Sequence, residues 1–400
     1  MRHGGDSGQK GGEAVSGWRH HLRDAGYTAE ALKRLLGVGV PDDVGLLNHA
    51  PALERVRPDP SAAATAVQLF FLEAEVSATR LAAVMPVRVR QSFLDAGALQ
   101  MRAGRVRARV RIDPVGDQYF VADRRFCAAD ARALHLPGRE PVYPPSSDSA
   151  VLRDAIVAGE ARSVLDLCTG SGVQALQQAS KVERVVAVDI NPRAAAMARL
   201  NARLNDSGNV EVRCGDLYRP VDGEFFDVII ANPPFVASPY TRAPRYHSGG
   251  ATGDRVLRRV IAGFGTYLRP GGRAFAISHL AVRSGEKLED CAAAWFEGFS
   301  GRAAVLVLET GTALDLAAAQ SLFALDRGLS NYAREVTHWV TYLHRHRIET
   351  VSLLLIVAEH DGRGRRGRPR VEVVQAQPRI LPLPLSPPPV DRIRRWFEGS

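Results

Sequence analysis

The spacing of hydrophobic positions changes once along the chain, near residue 141. Up to about Leu136 apolar residues recur mostly at helical intervals. Ser61, followed by Ala-Ala-Ala-Thr-Ala-Val-Gln-Leu-Phe-Phe-Leu, reads as a serine N-cap and a helix with one apolar face. Ser77 opens a second helix, which Pro86 stops, and a third over 87–96 ends at Gly97. Residues 99–102, an Ala103-Gly104 turn and residues 105–112 follow. The last run alternates strictly between arginine and apolar residues, the pattern of a half-buried strand. Three helices and a hairpin predict a mainly helical, winged-helix-like module over 17–136. Such modules bind nucleic acid in some proteins and only pack in others. Residues 1–16, Gly-rich and polar, are expected to be a disordered lead-in.

From Pro141 the pattern becomes strand and helix in alternation. Apolar strands are expected at 163–167, 184–189, 210–213, 226–231, 272–278, 303–308 and 351–358, and one helix at 331–347. That order predicts a doubly wound α/β sheet over 141–360. A tail, 361–400, carries Arg363, Arg365, Arg366, Arg368 and Arg370 and then a Pro-rich stretch. It is expected to be solvated and flexible, or to clamp the backbone of RNA.

Composition changes this picture little. The length of 400 residues suits two domains, and the hydrophobic share of 46% suits a globular chain. The longest apolar run, 351–358, is far below the roughly 20 residues of a membrane helix. The N-terminus lacks the apolar stretch of a signal peptide, so a cytoplasmic protein is expected. Cys127, Cys168, Cys214 and Cys291 have no metal or redox spacing and read as reduced core thiols. The net charge is +9, and its basic side is almost all arginine, since lysine occurs only at 10, 33, 181 and 287. It admits an anionic partner without naming one.

Four segments carry candidate chemistry. Val164-Leu-Asp166-Leu-Cys168-Thr169-Gly170-Ser-Gly172 places a glycine turn where a buried strand meets a helix. Free N–H groups of the new helix then point into the crevice. Asp189 ends the next strand about 20 residues on, before Ile190-Asn191-Pro192, and is placed to accept ribose hydroxyls. In Cys214-Gly215-Asp216-Leu217 the carboxylate can face an adenine amino group while Leu217 covers the ring. Finally, Phe226-Asp-Val-Ile-Ile-Ala231 runs straight into Asn232-Pro233-Pro234-Phe235. Two prolines stiffen that loop and remove two N–H donors. The Asn232 amide oxygen and Pro233 carbonyl are left to hold a flat –NH₂ group beside an aromatic ring.

Together these segments resemble the class I S-adenosylmethionine-dependent methyltransferases of the aminomethylating branch, which methylate glutamine side chains or bases of RNA and DNA. The resemblance covers about 143–278 and implies a Rossmann-like sheet. It places Asp166, Gly170 and Gly172 at the methionine part of the cofactor, Asp189 at the ribose, Asp216 and Leu217 at adenine, and Asn232 to Phe235 at the target nitrogen. Cys168 stands where the usual turn has its first glycine. The candidate cofactor residues also include Cys168, Thr169, Ile190 and Asn232; Asn232, Pro233 and Phe235 are the candidate catalytic set, and no metal is implied. Tyr143-Pro-Pro-Ser-Ser-Asp148-Ser149 resembles the segment that precedes the core in glutamine methyltransferases. The front module and Tyr246-His-Ser-Gly249-Gly250-Ala-Thr-Gly253-Asp254 resemble the methyltransferase small-domain group. Those glycines are read either as a mobile lid or as a surface loop.

N-methyl transfer is therefore expected, with three substrate classes open. A base in RNA fits the positive charge, the winged-helix-like module and the arginine tail, and a small biosynthetic molecule fits about equally well. A protein glutamine ranks below both, because the front module departs from the release-factor enzymes. The motif loop holds no evident base, although His247 and His279 are near in sequence.

Overall fold

A computed structural model describes residues 7–39, 41, 44–45, 47–125, 140–240, 248–362, 370–375 and 390–398. In the N-terminal part the three expected helices lie at Ala62–Ala66, Ala78–Val84 and Val87–Asp95. The first continues into a buried π-helical turn, Val67–Phe71. Ser61 and Ser77 cap their helices by accepting from the N–H groups of Ala64 and Arg80, and Gly97 stops the third with φ 69°. Strands β1 (Val76–Ser77), β2 (Leu99–Arg102) and β3 (Arg105–Ala108) make a small sheet with β3 in the centre. Its core holds Trp18, Tyr27, Phe70 and Phe93, with Trp18 stacked on Phe93 at 4.0 Å.

Two expectations for this part need correction. Residues 7–16 are helical, because the helix Ser7–Asp24 starts well before Trp18. Val15, Trp18 and Leu22 fall on one face and are all buried, so the apolar stripe reaches back into the polar lead-in. The alternating run 105–112 is two strands. β3 ends at Ala108, and β4 (Arg111–Val115) pairs instead with β5 (Gln118–Ala122). Arg111, expected to face water, is 1% exposed. Its guanidinium is bonded to Asp113 at 2.8 Å and to the Phe71 carbonyl at 2.7 Å, with Glu73 at 3.6 Å. Those acceptors make the buried charge tolerable.

The second part is built on one eight-stranded sheet. Its strands are β6 (Ser163–Leu167), β7 (Arg184–Asp189), β8 (Val210–Cys214), β9 (Phe226–Ala231), β12 (Leu268–Arg283), β13 (Gly301–Thr312), β14 (Ile348–His360) and β15 (Arg370–Gln375). A separate short pair, β10 (Val236–Ala237) and β11 (Ser248–Gly250), lies beside it. The order across the sheet is β15-β13-β14-β12-β9-β6-β7-β8, and only β14 runs antiparallel to its neighbours. The inner strands are apolar on both faces, as helices cover both sides. Strand order reverses between β6 and β9, so their carboxyl ends open a crevice there.

The tail does not follow expectation where it is described. β15 pairs with β13 from Arg370 to Gln375, so the sheet takes in residues beyond 360. The helix Val390–Glu398 buries Ile393 and Phe397 against the sheet. Arg273 lies 4.0 Å over the Phe397 ring, and Arg302 lies 4.5 Å over Trp396. Val373 and Val374, which pack on opposite faces of the sheet, and the apolar face of the last helix account for this docking. Arg363, Arg365, Arg366 and Arg368 and the Pro-rich stretch lie outside the described residues, as does Cys127. No helix of the described residues is long and apolar enough to cross a membrane.

Two asparagines join the two parts. At the end of the helix Pro192–Leu204, Asn205 exchanges two hydrogen bonds with the backbone of Tyr119, at 2.9 and 2.7 Å. Asn201 does the same with Val121, at 2.8 and 2.9 Å, and also donates to the Ser171 carbonyl at 2.8 Å. Their amides complete the edge of β5 as a neighbouring strand would. Asn201→Ala orphans buried backbone groups on both sides, each costing about 1–3 kcal/mol. A loss on the order of 3 kcal/mol is therefore expected in denaturant unfolding. A loss below about 0.5 kcal/mol, typical of a surface site, would show that water replaces the amide freely.

Candidate active site

The first loop of the crevice forms where β6 ends. Cys168 takes φ 59°, an unusual conformation for a residue with a Cβ, and Gly170 and Gly172 take φ 57° and 86°. A Cβ on Gly172 would lie 2.8 Å from Leu176 and 3.2 Å from Ala198, so glycine lets the turn seat against two helices. A Cβ on Gly170 would meet nothing within 4 Å, which marks open space. Asp166 sits beneath the turn, 1% exposed. Its Oδ2 accepts from Thr169 Oγ1 at 2.5 Å and from the N–H of Ala175 at 3.1 Å. Burial pushes its pKa up to about 7, against these two hydrogen bonds, and the Asp189 charge adds to the rise.

The next two loops meet the first at Asp189. Its carboxylate accepts from the N–H groups of Gly170 and Asn191, both at 2.8 Å, and its carbonyl accepts from Gly215 N–H at 2.9 Å. Ile190, next to it, leaves 45% of its surface exposed, an apolar edge at the crevice. Asp216 is ion-paired with Arg259 at 2.7 Å, and Leu217 beside it is buried with φ 47°. Burial pushes the Cys168 thiol up, and the charges of Asp189, Asp166 and Asp216 add to the effect. The structure thus gathers all three carboxylates around the first loop. Cys168 lies partly buried there, while Cys214 is exposed, so the expected core setting fails for Cys214.

The motif loop follows β9. Asn232 Nδ2 donates to Asp148 Oδ2 at 3.0 Å, and Ser146 Oγ bonds to the same carboxylate. Asp148 lies on the first turn of the helix Ser147–Ala155. This contact fixes the amide orientation and leaves Asn232 Oδ1 as an acceptor. Pro233 is buried, and Phe235 lies 4.5 Å from the His279 ring, tilted by 42°. His279 therefore stands beside the motif, while His247 lies outside the described residues.

The glycines read either as a lid or as a surface loop are packed in. β11 pairs in parallel with β10, directly after the motif. A Cβ on Gly253 would lie 2.3 Å from the Phe235 carbonyl oxygen, and one on Gly249 would lie 1.8 Å from that of Gly253. Buried Asp254 anchors the segment. Burial alone would raise its pKa, but hydrogen bonds from Thr252, Trp295 and Arg258 hold it below the usual carboxylate value. The outer wall comes from the helices Ala313–Ser321 and Leu329–Arg345, whose Leu316 and Trp339 pack with Val236. Tyr240 bonds to Glu335 and lies 5.3 Å from the His338 ring. Sequence reasoning missed Arg259 and this wall, because neither adjoins a motif. It quoted Asp148 without giving it a role, although its place just before the core was the available signal.

The crevice fits the cofactor that the motifs imply. Asp189 and Asp216 offer acceptors for hydroxyl and amino groups, Ile190 and Leu217 offer apolar cover, and Asp166 holds the glycine turn in place from beneath. Among the described residues no cluster of His, Cys, Asp and Glu is arranged for a metal. The raised pKa of Asp166 has a consequence without any ligand. Below about pH 4 both folded and unfolded chains hold the proton. Between there and about 7 only the folded chain does, so its stability falls as pH rises through that window. Asp166→Asn keeps an acceptor without the charge. The ligand-free variant is expected to match the wild type near about pH 4.5 and to exceed its melting temperature at about pH 8.5. Parallel pH profiles for the two proteins would disprove the assignment.

Residues 147–294 match the family described as Methyltransferase small domain, and residues 24–109 match one described as Domain of unknown function (DUF7059). A protein named as an N5-glutamine methyltransferase of Methanocaldococcus jannaschii is 36% identical over 137 residues, 33% of this chain and 68% of its own length. A release factor glutamine methyltransferase of Xylella fastidiosa is 31% identical over 193 residues, 45% of this chain and 68% of its own length. Among solved structures, a 16S rRNA N2 methyltransferase of T. thermophilus, held with AdoMet and guanosine, is 18% identical with a TM-score of 0.34. That alignment covers 72% of this chain and 64% of the other. A ribosomal protein L11 methylase of Lactobacillus delbrueckii is 23% identical with a TM-score of 0.25, over 33% of this chain and 57% of the other. The chain belongs to the class I S-adenosylmethionine-dependent N-methyltransferases, enzymes that use S-adenosylmethionine as methyl donor.

Proposed function

We propose that this enzyme methylates the side-chain amide nitrogen of a glutamine in a protein. The observation that carries the reading is the bond from Asn232 to Asp148, which turns the Asn232 carbonyl into a fixed acceptor. A primary amide presents two N–H groups in one plane. Asn232 Oδ1 and the Pro233 carbonyl take one each, and Phe235 lies against the amide face. Bound S-adenosylmethionine supplies an electrophilic methyl group on a sulfonium. The two acceptors aim the nitrogen at that methyl and stabilise the positive charge that grows on it. The nitrogen bonds to the methyl carbon as the carbon–sulfur bond breaks, the sulfur leaving as the neutral thioether of S-adenosylhomocysteine, and the nitrogen then releases a proton to water; His279, beside Phe235, supports that ring. Asp189 would hold the ribose, Asp216 and Leu217 adenine, and the loop Asp166 to Gly172 the methionine part.

The names of the relatives favour glutamine over the RNA base and the small molecule that the sequence ranked above it. A base amine is the second reading, favoured by the arginines of the N-terminal hairpin. Labelled cofactor, incubated with separate pools of protein, RNA and metabolites, distinguishes these readings. N5-methylglutamine in hydrolysed protein is the expected product, and label confined to nucleosides or metabolites would overturn the proposal.

Two sets of variants test the residue roles. Asn232→Ala is expected to lower kcat about 10²-fold or more, as losing one preorganised polar group does, with the cofactor Kd shifted far less. Asp148→Ala should lower kcat in the wild type yet add little in the Asn232→Ala background, since it acts through that amide. Additive losses would remove Asp148 from the positioning role. Asp189→Ala removes a charged acceptor worth about 1.5–3 kcal/mol, so the cofactor Kd should rise about ten- to a hundred-fold in calorimetry. An unchanged Kd would contradict the ribose assignment.

A further inference from the structure

The N-terminal hairpin presents a basic face that the methyl-transfer site does not use. In the β2–β3 pair, Gln100 faces Arg107 and Arg102 faces Arg105, so these side chains share one side, opposite Leu99, Val106 and Ala108. Arg109 continues the same alternation just past the end of β3. Arg102, Arg105 and Arg109 are exposed, and Arg107 is partly so. Among the described residues Arg105 has a carboxylate near it, Glu75 at 3.6 Å. Among the described residues Arg102, Arg107 and Arg109 have none. Arg107 and Arg109 instead converge on a single neutral acceptor, Gln100 Oε1, at 3.0 and 3.4 Å. Two guanidiniums drawn together over one neutral amide oxygen repel each other, and an outside anion would relieve that repulsion.

We propose that this hairpin face binds the phosphate backbone of a nucleic acid. Alternate residues on a strand are about 6.6–6.8 Å apart, so Arg105 and Arg107 project from one face of β3, with Arg102 opposite Arg105 and Arg109 drawn toward Arg107. A polymer with one charge per repeat meets this group of arginines with several charges at once, whereas an acidic peptide interrupts its carboxylates with neutral residues. Guanidinium forks match phosphate oxygens in pairs. The hairpin sits on a rigid base, because Val106 and Ala108 are fully buried in the N-terminal core. Through β5 and the paired asparagines that core is fixed to the helix behind the cofactor loop. The surface thus extends the footprint of the enzyme beyond the crevice, toward a substrate that carries or is held by nucleic acid.

The test compares the full chain with the triple variant Arg102→Gln, Arg107→Gln, Arg109→Gln, using a fluorescent structured RNA in anisotropy titrations over a range of salt. Each lost phosphate contact removes about 0.7–0.9 from the slope of log K against log salt. The variant is expected to bind at least about ten-fold more weakly at roughly 100 mM salt and to lose about two units of slope. Cofactor Kd and melting temperature should be unchanged, since the three side chains lie on the solvent side of the hairpin and touch no residue of the crevice. Equal RNA affinity and slope in both proteins would overturn the proposal, and would assign any RNA binding to other arginines. Polyglutamate displacing the RNA from the wild type but not from the variant, at similar concentrations of charge, would overturn it in favour of an acidic protein partner.

Discussion

The Asp189 side chain accepts one N–H from Gly170 and another from Asn191, while its backbone carbonyl takes the N–H of Gly215. Three loops that leave three neighbouring strands are therefore spaced by one residue. Strand pairing alone sets the origins of these loops and not their ends. The charge of Asp189 does the rest, because a carboxylate in a partly enclosed crevice must be met by donors, and the nearest are the N–H groups that the glycine turn frees. The same condition draws Thr169 and Ala175 onto Asp166. The crevice is thus shaped before any ligand arrives, by carboxylates whose remaining acceptor capacity points into it.

The target side of the crevice is organised by a different route. Asn232 is oriented by Asp148, which belongs to a helix that precedes the first strand of the sheet. The outer surface of the motif loop is closed by the helices between β13 and β14, which share a small apolar cluster with Phe235, Val236 and Ala237. Gly253 lets a further segment pass within van der Waals distance of the motif backbone, and Gly249 lets that segment fold onto Gly253. Elements from both ends of the catalytic part therefore bear on four residues. Their position depends on the whole sheet, in contrast to the cofactor loops, which are largely tied to one another.

The N-terminal module is joined to this arrangement through amide groups. Asn201 and Asn205 bind the free edge of β5, and Asn201 also reaches the carbonyl of Ser171 in the first loop. Leu204 lies in the N-terminal core although it belongs to the catalytic part. The two parts share both a polar seam and an apolar contact, so the hairpin arginines are carried at a fixed place relative to the crevice.

Much of the catalytic part was legible in the sequence. β6, β7 and β9 lie where the apolar runs placed them, since strands buried on both faces need uninterrupted apolar residues. The motif loops followed from the strand ends, because glycine, proline and acidic residues there have few other uses. The front helices were set by Ser61, Ser77, Pro86 and Gly97, which act through local backbone chemistry. Only the tertiary structure decided the rest. Arg111 became buried because the strand broke and two carboxylates, Asp113 and Glu73, met it. The residues around 370–375 and 390–398 became part of the sheet and its cover because an open edge and an exposed apolar face were available to them. Asp148, Arg259 and the wall around Trp339 reached the crevice through long-range packing. Periodicity and local propensity report which face of an element is apolar. They carry no information about which distant segment will cover it, and that choice placed the residues on the target side of the crevice.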